Sequence, residues 1–134
     1  MPPEPMRGET LIYLCGIHSL GFAAFHLAFW KLFGWPAALR KTNVATRAVT
    51  QILNLRLIYV FLGVAVLCFR LPHELLVTRL GHALLAGMAL FWIGRLVEQF
   101  VFLRCNKPLV HALTALFALG AVLFALPLTP WGEA

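Results

Sequence analysis

Four long apolar runs alternate with short polar segments along the chain. They cover about residues 10–33, 51–71, 80–103 and 108–126. Each is close to the roughly 20 residues that a helix needs to cross a hydrocarbon core about 30 Å thick. Backbone polar groups in lipid must bond within their own segment, so each run is predicted to be a helix. The pattern predicts an all-α fold: a bundle of four transmembrane helices forming one integral membrane domain, residues 1–134.

The residues between the runs predict where the helices begin and end. Gly34 and Pro36 follow the first run and are expected to end its helix. Asn43 can cap a helix that begins near Val44 and continues into the second span. Pro108 occupies a favourable first position for the fourth helix. No small-residue cleavage site follows the first run, so it is interpreted as a retained helix rather than a signal peptide.

Composition supports a bilayer as the solvent of this chain. Of 134 residues, 61% are hydrophobic and only 12% are charged, whereas soluble domains carry about 25% charged residues. The net charge of +6 does not indicate nucleic-acid binding, because the basic residues lie in short segments between apolar runs and not along a polar face.

The distribution of basic residues predicts an orientation. On one side of the predicted membrane are Lys31, Arg40, Lys41, Arg47, Arg56, Arg104 and Lys107. On the other side are Arg7, Arg70 and Arg79. The positive-inside rule then places both basic loops in the cytoplasm and both the N-terminus and the C-terminus outside. The expected location is the inner membrane of a bacterial cell, which the protein crosses several times.

Ionisable residues inside membrane helices are functional hypotheses by default. Arg95 and Glu98 are three residues apart in the third run, which places them on adjacent positions of one helix face. One interpretation is a charge-neutral ion pair that orders the bundle. The other is that Arg95 faces a cavity and binds an anionic group, while Glu98 positions it or moves a proton.

Further polar residues fall in the same, inner half of the predicted bundle. Arg47, Gln51, Asn54 and Ile58 form one stripe of the second helix, and Arg56 lies on the opposite face. Asn54 is therefore predicted to face the bundle. The residues proposed for ligand binding are His26, Asn54, Arg95, Glu98 and His111.

Histidines on different helices at similar depth also raise the possibility of haem. The candidate ligand pairs are His26 with His111 and His18 with His82. The alternative is that each histidine forms a hydrogen bond within the bundle. The three cysteines are isolated and show no metal-binding spacing, so no metal site is predicted.

Two family resemblances bear on function. The stretches FHLAFWKLFGW, RAVTQILNLRLIYVF and FWIGRLVEQFVF resemble a group of small uncharacterised bacterial four-helix membrane proteins. That resemblance implies the fold and no particular reaction.

The layout of four helices, polar residues at the inner end of the second and an arginine in the third is similar to the MAPEG family. Its members are homotrimeric, glutathione- and eicosanoid-handling enzymes. This resemblance implies glutathione binding near the cytoplasmic face through Arg47, Asn54 and Arg95. The chain departs from the family pattern, since no Glu follows Asn54 and no Tyr follows Arg95 at the family's positions.

These observations predict a protein that binds a small amphiphile or lipid in a polar cavity on the cytoplasmic side. It could instead serve as an accessory subunit. The expected assembly is a homo-oligomer or a larger membrane complex. The alternatives are a MAPEG-like glutathione-dependent enzyme and a b-type haem protein. Membrane lipid is the expected partner, and the sequence leaves open whether the protein is an enzyme.

Overall fold

The computed structural model describes residues 7–132, and every regular element in that range is helical. The helices are α1 (Arg7–Leu32), α2 (Val44–Arg70), α3 (Pro72–Val77), α4 (Arg79–Phe102) and α5 (Pro108–Ala125). Short 3₁₀ helices cover Ala37–Lys41, Leu126–Leu128 and Pro130–Gly132. The helices α1, α2, α4 and α5 are long and apolar enough to cross a membrane. The prediction of an all-α bundle with four membrane-spanning helices is confirmed.

The helices begin and end close to the residues predicted to cap or interrupt them. Asn43 precedes α2, and its Oδ1 accepts a hydrogen bond of 2.7 Å from the backbone N–H of Thr46. Pro108 is the first residue of α5. After α1, Gly34 adopts a φ of +64°, a left-handed conformation that a residue without a Cβ reaches readily.

The segment between α2 and α4 contains a helix that the sequence analysis did not predict. Pro72 begins the six-residue helix α3. The hydrophobic pattern predicted only a short polar segment between the second and third runs. Thr78 then caps α4, because its hydroxyl accepts a hydrogen bond of 2.9 Å from the N–H of Gly81. At Gly81 a Cβ would lie 2.5 Å from Leu75 Cα, so α3 packs directly against the start of α4.

The long helices form two hairpins that pack together. Helix α1 lies along α2, and α4 lies along α5. Contacts of α1 with α5, and of α3 with α1, α2 and α4, join the hairpins. The most deeply buried apolar side chains of the resulting core include Ile12, Cys15, Phe61, Leu85, Trp92 and Phe124.

Large apolar side chains also cover the outside of the bundle. Ile17, Tyr59, Leu90 and Leu119 are exposed on the four long helices, at 59%, 69%, 68% and 47%. Soluble monomers rarely expose such continuous apolar surface. This exterior suits lipid and agrees with a multi-pass membrane protein.

The bundle has two ends. The loop end carries the segment 33–43 and the turn 103–107. The terminal end carries α3, the beginning of α1 and the last two 3₁₀ helices.

Candidate functional site

A cavity of about 320 Å³ lies between the helices in the half of the bundle nearer the loop end. Side chains from α1, α2, α4 and α5 line it, together with Trp35 from the connecting segment. Six phenylalanines form most of its wall with Trp35 and Trp92. Its size is at the lower end of the range for small-molecule sites, about 300–1,000 Å³.

Few polar side chains line this cavity. They are His26, Thr50, Asn54 and Arg95. The fold therefore brings together three of the five residues proposed for ligand binding, His26, Asn54 and Arg95.

Arg95 supplies the only formal charge among the lining residues. It is half-buried, and its guanidinium lies over the ring of Phe117, 4.6 Å from the centroid. An aromatic face attracts a cation through its quadrupole, and this contact holds the guanidinium beside the cavity. Within residues 7–132 the guanidinium has no hydrogen-bond acceptor, so its five N–H donors remain free for a ligand.

Glu98 lies elsewhere. It is exposed and does not line the cavity, although it is only one helical turn from Arg95. In the described part of the chain the two residues form no ion pair. Their spacing permits contact, but Arg95 turns toward the aromatic wall and Glu98 toward the outer surface.

His26 lines the cavity and carries a free hydrogen-bond acceptor. Its Nδ1 lies 2.8 Å from the carbonyl oxygen of Phe22. A carbonyl can only accept, so Nδ1 carries the proton, and Nε2 of the neutral ring carries a lone pair. Nε2 has no partner in the described residues, and it is not among their fully buried, unpartnered polar atoms. It is therefore accessible.

Asn54 braces the cavity. The side chain is 4% exposed, which confirms that it faces the bundle. Its Oδ1 accepts a hydrogen bond of 3.0 Å from Trp30 Nε1, and its Nδ2 donates one of 3.1 Å to the carbonyl of His26. Both ends of the amide are engaged with α1, so Asn54 fixes the helix that carries His26.

His111 belongs to a different site. It is exposed, its Nε2 lies 2.7 Å from Asn106 Oδ1, and it lines a second cavity beside the turn 103–107. The two cavities share no lining residue. His26 and His111 therefore do not converge, and the pair does not fit haem.

The outer histidine pair does not converge either. His18 is buried in the core and its Nε2 donates to the carbonyl of Leu116 at 3.0 Å. His82 is exposed and bonds the carbonyl of Leu76. Among residues 7–132 no group of three or more His, Cys, Asp or Glu side chains could hold a metal ion. Cys15 and Cys68 are buried free thiols.

Of the three residues assigned by the MAPEG resemblance, Asn54 and Arg95 line the same cavity and Arg47 does not. Arg47 is half-buried on α2 but does not line the cavity that holds Arg95. The amide of Asn54 is occupied by Trp30 and His26.

The aromatic wall is the feature that sequence reasoning missed. Phe22, Phe25 and Phe29 recur at spacings of three and four, which places them on one face of α1. That spacing was the available signal. It is weak here, because apolar residues also cover the other faces of the helix.

Comparisons with known proteins identified no relative of this chain. No family model matches the chain, and no curated protein or solved structure is significantly similar to it.

Proposed function

We propose that this protein binds a small amphiphile in the aromatic-walled cavity at the loop end, with Arg95 holding the polar group of the ligand. The observation that supports it is an unpartnered, half-buried guanidinium beside a cavity formed by membrane-crossing helices.

The energetic argument concerns the free charge. An arginine within a transmembrane helix costs about 2.5–3.5 kcal/mol on insertion-based scales. The face of Phe117 offsets part of this cost. An anionic or strongly polar group would satisfy the free donors through charge-assisted hydrogen bonds, and the phenylalanines would accommodate the apolar part of the same molecule.

We further propose that the protein resides in a bacterial inner membrane with the loop end in the cytoplasm. The support is the excess of basic residues at that end. Reporter fusions after residue 134 are expected to give periplasmic activity, and fusions within 37–42 cytoplasmic activity. The reverse pattern would place the cavity in the outer half of the membrane.

Native mass spectrometry and lipid extraction, applied to protein purified in mild detergent, test whether an amphiphile is bound. The variants are Arg95→Gln and the matched control Arg56→Gln. Arg56 is also a membrane-helix arginine over an aromatic ring, 5.6 Å from the centroid of Tyr59, but it is exposed and outside the cavity.

The wild type and Arg56→Gln are expected to retain the same amphiphile, and Arg95→Gln is expected to lose most of it. Equal retention by all three proteins, or no bound amphiphile in the wild type even after addition of decanoate, would overturn the proposal. The same spectra give the oligomeric state. They therefore test the expectation that the protein forms a homo-oligomer or belongs to a larger complex.

A further inference from the structure

We infer that the ligand carries a hydroxylated planar ring, of the phenol or quinol class, on an apolar tail. This inference rests on the proposed function and narrows the chemical class of the amphiphile. It follows from the shape of the cavity wall and from the donors and acceptors that the wall offers.

The wall contains a set of nearly parallel rings. Trp92 stacks with Phe61, with centroids 5.6 Å apart and planes 9° apart, and with Phe117 at 5.7 Å and 21°. All three rings line the cavity. These three rings are at most 3% exposed, so the aromatic surface that a ligand can reach belongs to the more exposed rings of the same wall, Phe25, Phe29, Trp35 and Phe91. Stacked or edge-to-face packing against these rings stabilises a planar ring by about 0.5–1.5 kcal/mol beyond burial alone, and a flexible alkyl chain does not gain that contribution.

The polar lining pairs one charged donor group, the guanidinium of Arg95, with one imidazole acceptor, Nε2 of His26. The oxygen of Thr50 and the indole N–H of Trp35 add a further acceptor and donor. Thr50 already donates its hydroxyl proton to the carbonyl of Thr46 at 2.7 Å, and both ends of the Asn54 amide are engaged. Arg95 offers only donors, and Nε2 of His26 is an acceptor.

A hydroxyl group matches this pair because it accepts from the guanidinium and donates to Nε2 at the same time. A carboxylate or a phosphodiester can only accept, which leaves Nε2 without a donor when the cavity is filled and water is displaced. An unsatisfied polar group in such a site costs about 1–3 kcal/mol. The phenolic hydroxyl therefore fits the hydrogen bonding, and its ring fits the wall.

The test is a fluorescence titration in nanodiscs, since Trp35 and Trp92 line the cavity and report occupancy. The probes, compared at equal mole fraction of lipid, are 4-octylphenol, 4-octylanisole, 1-decanol and decanoate. 4-Octylphenol is expected to bind the wild type about tenfold more tightly than 4-octylanisole, which cannot donate to His26. It is also expected to bind more tightly than 1-decanol, which lacks the ring.

Variants of His26 test whether the hydroxyl group of the ligand binds at this histidine. His26→Phe is expected to reduce the preference for the phenol over its methyl ether to less than about threefold, because the imidazole acceptor is removed. His26→Gln restores an acceptor and should recover part of the preference. His82→Phe, an exposed position outside the cavity, should leave it unchanged.

Equal binding of 4-octylphenol and 4-octylanisole by the wild type would overturn the inference, whatever the variants do. If decanoate still binds and Arg95→Gln abolishes that binding, the proposed function would stand. Binding of 1-decanol as tight as that of 4-octylphenol would overturn the assignment of a ring. Failure of all four probes to bind would overturn both the inference and the proposed function.

Discussion

The two halves of the bundle pack in different ways although their helices are continuous. Toward the terminal end, glycines allow close approach: a Cβ at Gly16 would lie 3.0 Å from Cys68 Cβ, and one at Gly120 would lie 2.8 Å from Trp92 Cγ. Toward the loop end, large aromatic side chains line a partly open cavity.

Side-chain size accounts for this difference. Without a hydrophobic driving force in lipid, membrane helices associate through close packing, and small residues let their backbones meet. At the loop end, aromatic residues from all four long helices form the wall of the cavity. The terminal half is thus the more closely packed part, and the loop-end half contains the cavity that we propose as a ligand site.

The largest expected effect comes from one substitution made in both halves. Phe124 in the terminal half is 1% exposed, and Phe124→Ala should lower the free energy of unfolding by about 3 kcal/mol, because it opens a void in close-packed surroundings. Phe29 is only partly buried beside an existing cavity, so Phe29→Ala should cost less, about 1 kcal/mol, roughly half the value for a completely buried phenylalanine. Unfolding by denaturant titration in mixed micelles measures both, and equal losses would remove the distinction between the halves.

A smaller loss is expected from added volume in the terminal half. In Gly120→Ala the new Cβ would lie 2.7 Å from His18 Cε1 and 2.8 Å from Trp92 Cγ, so both rings must move, at a cost of about 2 kcal/mol. Because Trp92 also lines the cavity, its fluorescence spectrum should shift.

Gly87→Ala is the matched control for that substitution, since a Cβ built there has no atom within 4 Å apart from its chain neighbours and the backbone of its own helix. Its spectrum should match that of the wild type, and its thermal midpoint should equal or exceed that of the wild type, because Ala is favoured over Gly in a helix interior by about 0.8–1.0 kcal/mol. A Gly120→Ala protein as stable as Gly87→Ala would show that the terminal half is not tightly packed.

The smallest expected loss concerns the hydrogen bonds that join α1 and α2 beside the cavity. Asn54→Leu removes the bonds to Trp30 and His26, and should cost about 1 kcal/mol at roughly 0.6 kcal/mol for each bond in a membrane. Gln51→Leu removes only a bond to its own helix, to the carbonyl of Arg47, and should cost less. Denaturant titration of the two variants checks this order, and the opposite order would mean that Asn54 does not brace the helices.

Much of the fold was predictable because it follows from local chemistry. The length of each apolar run, the Asn43 cap and Pro108 predicted long helices whose observed bounds differ from the predictions by a few residues at most. The stripe on α2 was also predictable, since polar residues on an otherwise apolar helix mark its inward face. Asn54 and Ile58 are buried and Arg56 is exposed.

The site was only partly predictable. Glu98 and His111 were predicted to lie near His26 and Arg95 because all four are at a similar depth in the membrane. Depth does not specify the direction in which a side chain points around the bundle. Glu98 and His111 are exposed and lie outside the main cavity. Helix α3 was missed because Pro72 can either interrupt a chain or begin a helix. The role of Asn54 as a brace depends on Trp30, a residue 24 positions away, and no local pattern indicates that pairing.

The most direct measurement of the central claim is photolabelling with a diazirine-bearing decanoate in nanodiscs, with labelled residues mapped by peptide mass spectrometry. We expect the label within residues 22–29 and 91–95 of the wild type, and we expect excess decanoate to prevent this labelling. The same labelling should occur in Arg56→Gln and should be lost in Arg95→Gln. Label confined to lipid-facing residues such as Tyr59 and Leu90, and insensitive to both decanoate and Arg95→Gln, would contradict a ligand site in the cavity.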